Sequence, residues 1–358
     1  MSDIAAERVG LLTKPRNDSW VASTRRWGWA QYLALFAVPV LFWEIWTVVA
    51  WLADNPHEIT QYQTPGSTDW WAATSLEAIA IVAAVPVLIY VIRGCIRARG
   101  MTLDSMFCLA GLTICWCDLG CNFFQPTFLT SSNFVNLNYM CGNMPLVVNP
   151  DCGRVSDPLL LTVPLFMFDL LGLAILLEHP IRWARNRWPG ISTVRLLGIL
   201  FLIGLVFDMA LEPTVISLGL WTYFAPSGFS LHLGQGLRYA FPEFFCGPIF
   251  FAFIPGIRVF RNDRGQTIAE RGTENLSPRL RKPVTFLALY AVIQFITWVP
   301  STLPLMLLGP YDTVPKTPAY LLQDVCDAPG VTNSPYGLCP GAPGYEMPGR
   351  TSRLSRSS

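Results

Sequence analysis

Charged residues are scarce in this sequence. They make up 14% of its 358 residues, against about 25% in an ordinary soluble domain. Histidine is scarcer still: His57, His179 and His232 are the only three, and none lies well inside an apolar run, which excludes a haem held between paired histidines. The last apolar run, Val284–Leu308, contains no lysine, which excludes a retinal pigment. A DDxxD diphosphate-metal motif and a phosphate-binding glycine loop are both absent. Cys115 and Cys117 do not form a CxxC pair, and no metal-ligand spacing appears among the ten cysteines. The net charge of +1 gives no bulk attraction to nucleic acid. No internal repeat is visible, and no cleavable leader: roughly the first 28 residues are polar, and the apolar run after them is long enough to be an anchor.

What the sequence has instead is apolar length. Hydrophobic residues make up 52% and aromatic residues 13%. Seven runs come near the roughly 20 apolar residues that cross a bilayer: Ala30–Leu52, Ala72–Ile92, Leu103–Cys121, Pro158–Leu177, Leu196–Ile216, Ala240–Ile257 and Val284–Leu308. Each is expected to be a helix, because an unpaired backbone group is costly in lipid. The fold expected is therefore an all-α integral membrane bundle of seven helices. Residues 1–29 form an N-terminal segment, residues 30–308 the membrane domain with a long loop at 122–157, and residues 309–358 a tail.

The loops alternate in basic residues. Arg8, Lys14, Arg16, Arg25 and Arg26 precede the first run; Arg93, Arg97 and Arg99 follow the second; Arg182, Arg185, Arg187 and Arg195 follow the fourth; and seven Lys or Arg residues from Arg258 to Lys282 follow the sixth. The intervening loops carry almost none. The positive-inside rule then puts the N-terminus in the cytoplasm and the C-terminus outside, in a bacterial plasma membrane. Trp46, Trp51, Trp70, Trp71, Trp183 and Trp188 fall where headgroup-level rings are expected. Cys141, Cys152, Cys326 and Cys339 fall in the outer segments, where one or two disulfides suit an oxidising compartment, and a Cys141–Cys152 clasp would help the long loop act as a lid. The tail is rich in Pro and Gly, and its end, RTSRLSRSS, has the composition of a disordered segment.

Acids inside the runs are the chemical signal, because intramembrane carboxylates are expensive and face a cavity or the bundle interior. Glu44, Glu77, Asp118, Asp208, Glu212 and Glu243 all fall in the outer half of the membrane, from five different runs, while Asp169 lies near the midplane. No lysine or arginine lies within the runs to neutralise them. Each acid has a plainer reading beside the functional one: Asp118 with Asn122 as a helix-end hydrogen bond, Glu77 as an interfacial residue, Glu243 as a first-turn acid favoured by the helix dipole. Asp208 and Glu212 share one helix face at i, i+4, and two acids so close raise each other's tendency to hold a proton.

Buried acids without metal spacing suit proton transfer, one carboxyl acting as general acid and an ionised partner as base. Trp221, Tyr223, Phe123, Phe124 and Tyr139 are candidates to line an apolar pocket and stabilise a developing cation, or simply to pack. Asp208 and Glu212 are the expected central pair. Asp118 and Glu243 would assist, with Glu77, Asn122 and Tyr223 orienting the substrate.

The stretch DMALEPTVISLGLWTYF, the following GQGLRYAFPEFF and the upstream NFFQPTF…NYMCGNMPLVVNPD together resemble the avermectin-type spiroketal cyclases, the AveC-like family of actinobacterial membrane proteins. The resemblance runs from about Asp118 to Gly247. It implies closure of a dihydroxyketone polyketide to a spiroketal, with dehydration in some members. That chemistry needs no metal or redox cofactor, and its apolar polyketide-like substrate could enter from the lipid bilayer. A membrane terpene cyclase using buried acids, and a proton-coupled transporter or receptor, remain alternatives at this stage. Homo-oligomer formation is left open.

Overall fold

A computed structural model describes residues 27–60, 62–124, 127–149, 152–223, 227–234, 237–308, 318–322, 333–334 and 337–338. The N-terminal basic residues, Cys326, Cys339 and the RTSRLSRSS end lie outside these residues. The described chain is mostly helical, and five of its helices are long and apolar enough to cross a membrane. These are α1 (Trp29–Ala53), α2 (Thr68–Ala98), the segment Leu159–Arg187, α7 (Thr193–Ser217) and the segment Pro278–Leu307. The Leu159–Arg187 segment comprises α5 (Leu159–Met167), a π turn at Phe168–Gly172 and α6 (Leu173–Arg187). The last segment comprises α9 (Pro278–Thr297), a second π turn at Trp298–Thr302, and α10 (Leu303–Leu308).

The other two expected spans differ from the sequence reading. The run Leu103–Cys121 is not one helix. It gives α3 (Leu103–Leu112), the single turn α4 (Cys115–Asp118) and a 3-10 turn at Leu119–Phe123. At the break, the Thr113 hydroxyl donates to the Ala110 carbonyl at 2.6 Å and accepts from Gln294 Nε2 at 3.1 Å, a local hydrogen bond that competes with helix continuation. The run Ala240–Ile257 starts late, because Ala240 is in a strand. Its helix, α8 (Glu243–Val259), has 17 residues and is about 25 Å long, short of the roughly 30 Å of a hydrocarbon core.

Helix starts follow the local sequence. Ser67 caps α2 by accepting from Trp70 N, Thr102 caps α3 from Ser105 N and Ser192 caps α7 from Arg195 N, each satisfying an orphan first-turn N–H. Small residues on α1 (Ala30, Ala34, Ala37) face α9, where Ala288 and Ala291 are buried, and let the two helices pack closely. Outward, Leu35, Phe36, Phe42, Ile45, Val82 and Val206 are exposed, as lipid-facing residues are.

One face of the bundle carries a cap built from three short antiparallel pairs and their turns. Strand β1 (Phe128–Thr130) pairs with β4 (Trp221–Tyr223), β2 (Asn136–Asn138) with β3 (Ser156–Pro158), and β5 (Ser230–His232) with β6 (Arg238–Ala240). A fourth pair, β7 (Asn333–Ser334) with β8 (Gly337–Leu338), lies in the tail. Asparagines stitch the connectors together. Asn138 Oδ1 accepts from His57 N at 2.9 Å, Asn136 Oδ1 from Ile59 N at 3.1 Å and Asn133 Oδ1 from Thr64 N at 2.7 Å. These amides supply partners to loop N–H groups that no ladder serves, that of Ile59 being buried. Cys141 and Cys152 form a disulfide in this cap. The turn α11 (Ala319–Leu322) also belongs here: Ser132 N donates to Tyr320 O at 2.9 Å.

The start of α1 lies on the opposite face, where Ala30 N donates to Arg271 O at 3.0 Å and Gln31 Nε2 to Gly272 O at 2.8 Å. The expected tryptophan frame needs one correction. Trp46, Trp71, Trp183 and Trp188 are exposed, but Trp51 is buried and donates from Nε1 to Asn138 O at 2.9 Å. It is a strut of the cap, placed there because that backbone carbonyl needs a donor.

Candidate active site

A cavity of about 350 Å3 lies under the cap. Five carboxylic acids line it: Asp118 at the end of α4, Asp169 in the first π turn, Asp208 and Glu212 on α7, and Glu243 at the start of α8. Among the described lining residues there is no lysine or arginine. Cys121, Thr130, Thr162, Cys246, Thr297 and Ser301 add smaller polar groups. Both π turns therefore border the cavity, which fits the frequent placement of such turns at functional sites.

The roof is the β1–β4 pair. Phe128 lies opposite Tyr223 in register, and their rings stack with centroids 4.7 Å apart. Thr130 lies opposite Trp221. The Trp221 indole Nε1 donates to Glu212 Oε2 at 2.9 Å, so the roof and the helix acid are joined directly. Asp208 is held differently: its Oδ2 accepts a hydrogen bond from the hydroxyl of Tyr239, which β6 presents. Gly247, one turn into α8, faces the Asp208 carboxyl, and a Cβ there would collide with it. The absence of a side chain at 247 is what lets α8 lie against α7 with the acid between them.

Of the residues expected from sequence, the structure brings Asp118, Asp208, Glu212, Glu243, Trp221 and Tyr223 to this one cavity. It does not bring Glu77, Asn122, Tyr139, Phe123 or Phe124 there. Glu77 accepts from Val135 N at 2.9 Å and anchors the cap loop to α2. Asn122 Oδ1 accepts from Thr127 N at 2.6 Å and Phe128 N at 2.9 Å, and its Nδ2 donates to Phe128 O at 2.7 Å. It shapes the turn that aims β1. Tyr139 donates to Trp116 O at 2.5 Å, and Phe123 packs edge-on against Trp43 and Phe124. Glu44, also read as a cavity acid, accepts from Tyr290 Oη at 2.7 Å and lies away from the lining.

Two residues escaped the sequence reading, and a third was seen without being assigned to the site. Asp169 was visible as a midplane acid, but nothing in one dimension joins it to α7. Tyr239 sits in a segment without periodicity. Asp157, in β3 behind the roof, is buried, and its Oδ1 accepts from Thr162 Oγ1 at 3.2 Å. Burial pushes its carboxyl up to about 7, and the nearby charge of Asp118 adds to this. Among the described residues, no group of three or more His, Cys, Asp or Glu side chains has a metal-holding arrangement.

A helical membrane protein with a capped, carboxyl-lined cavity is the class that fold and site define together. The particular family follows from comparison: a model of the AveC-like spirocyclases matches residues 98–312, more than half of the chain, and the chain belongs to that family. The match encloses every cavity acid and extends past the stretch that carried the resemblance. Membership implies a cyclase. No curated protein and no solved structure matches the chain.

Proposed function

We propose that this protein closes a dihydroxyketone polyketide to a spiroketal, using cavity carboxyl groups as acid and base and setting which face is attacked. The observation that supports this most is the convergence of five acids from four separate parts of the chain on one small cavity roofed by Trp221, Tyr223 and Phe128. The reaction is a net loss of one water with no change in oxidation state, so positioned carboxyl groups suffice. A protonated acid activates the ketone, and the first hydroxyl adds to give a hemiketal. The hemiketal hydroxyl takes a proton and leaves as water, forming an oxocarbenium ion. The second hydroxyl then adds and gives its proton to an ionised carboxylate.

In this reading Asp208 or Glu212 delivers the proton to the departing water, and Asp118 or Glu243 receives the hydroxyl proton. Tyr239 and Trp221 orient the first two. The roof aromatics face the developing cation and keep water out, and the fixed cavity shape selects one product face. The bundle crosses a bacterial plasma membrane with its cap outside and its N-terminal segment in the cytoplasm, α3–α4 and α8 completing the seven crossings.

The test is incubation of purified protein with a dihydroxyketone, wild type against the double variant Asp208→Asn/Glu212→Gln, with products resolved by chiral chromatography. One spiroketal isomer from wild type and a slow mixture from the variant is the expected result. Full turnover by the double variant sinks the assignment of these acids.

A further inference from the structure

Beside its five acids, the cavity has a largely apolar lining, which includes Ile79 and Ala83 on α2, Leu165 and Phe166 on α5, and Phe207 and Leu211 on α7. Three of these apolar lining residues are also outer-surface residues: Ile79 is 62%, Phe207 50% and Leu211 42% exposed. A side chain that lines a cavity and also faces the surroundings marks an opening. In this bundle α2 packs on α5 and α7 packs on α8, and among the described residues α7 has no comparable packing against α2 or α5. The opening therefore lies between the α2–α5 pair and α7, along the sides of membrane-length helices. Among the described residues, the paired strands β1 and β4 lie over the cap side of the cavity, and Glu212 is tied to Trp221 there.

Size points the same way. About 350 Å3 is near the lower end of the roughly 300–1,000 Å3 of small-molecule sites. That holds a ketone with its two hydroxyl arms, but not the rest of a long polyketide chain. Among the described residues, the opening marked by Ile79, Phe207 and Leu211 is rimmed by apolar side chains and offers the remainder a way out. A polar group left in such an exit would be desolvated without a partner.

We infer that the substrate is an amphiphile taken sideways from the leaflet on the cap side, entering between the α2–α5 pair and α7 with its polar reacting end first and leaving its apolar tail in lipid. The reacting end is assigned by the spirocyclase reading above; the position of the tail is not, because it depends only on the opening.

The test uses the full chain in lipid nanodiscs and a dihydroxyketone bearing a long saturated tail that ends in a diazirine. After photolysis, mass spectrometry locates the adduct. Adducts at Ile79, Phe207 or Leu211, accompanied by labelled lipid, are expected. Adducts on the cap loops, or none on the rim, overturn the inference. The adduct map needs no turnover, so a wild type that labels at the rim but makes no spiroketal removes the cyclase reading and leaves the opening standing. A cap-labelled protein that does make spiroketal does the reverse. In a second arm, Ile79→Trp/Leu211→Trp narrows the rim. The ratio of long-tailed to tail-less turnover is expected to fall by roughly tenfold or more, as misplacement of a reacting end commonly costs. An unchanged ratio counts against the opening.

Discussion

The two ends of the bundle treat buried acid in opposite ways. On the face away from the cap, Arg258 donates from Nε to Asp104 Oδ1 at 2.9 Å and also meets Glu178, while Tyr90 Oη donates to Asp104 Oδ2 at 2.6 Å. That cluster ties α2, α3, α6 and α8 together, with each charge answered. Under the cap, five acids surround a cavity that no described lysine or arginine lines, and the groups that hold Asp208 and Glu212 are a phenol and an indole. Neutral donors fix the position of a carboxyl while leaving its proton free to move. An arginine would hold it ionised. In the proposed mechanism, the acids under the cap change protonation while those at the other end stay ionised.

The contrast can be broken from either side. The largest effect is expected from Glu212→Gln, which keeps the size of the side chain and removes the acid. Turnover should fall by about 10²–10⁴-fold, the usual contribution of a positioned acid or base, with little change in melting temperature. Arg258→Gln should do the opposite, costing about 1.5–3 kcal/mol of stability because Asp104 and Glu178 lose their half-buried charged partner, while turnover per folded molecule holds. Thermal melts and single-turnover assays on the same preparations separate the two. If Arg258→Gln slowed chemistry as much as Glu212→Gln, the division between the ends would collapse. Glu77→Gln should be milder, about 1 kcal/mol, since an amide oxygen can still accept from Val135 N.

A further effect concerns pH. Asp157 titrates near 7 in the folded protein, above the ordinary carboxylate value, so the fold favours its protonated form. Its contribution to stability is complete below pH 4 and is lost as pH rises through 7. Asp157→Asn should flatten the fall in melting temperature between pH 4 and 8. A fall as steep as that of wild type would show that another group carries it.

How much of this could be read in one dimension depended on whether a property was local. Apolar length marked all five long helices, because lipid imposes it residue by residue. It failed at Leu103–Cys121, where Thr113 and Gln294 interrupt a run that looks continuous, and at Ala240, which a strand partner claims. Asp208 and Glu212 were legible as a pair through helix spacing, and Trp221 and Tyr223 through their proximity in sequence. Glu44 and Glu77 looked the same as the cavity acids, since only the fold shows that Tyr290 and the Val135 backbone already engage them. Asp169 and Tyr239 needed the third dimension: one comes in on a π turn, the other on a two-stranded ribbon, and neither leaves a periodic trace.

The side opening has a consequence for how the protein should be assayed. A catalyst fed from a bilayer responds to the mole fraction of substrate in that bilayer, not to the amount per litre of buffer. Adding lipid or detergent at constant total substrate would dilute the substrate in two dimensions and lower the rate without any inhibitor being present. Apparent affinities measured at different lipid loads would then disagree when written as molarities and agree when written as surface fractions.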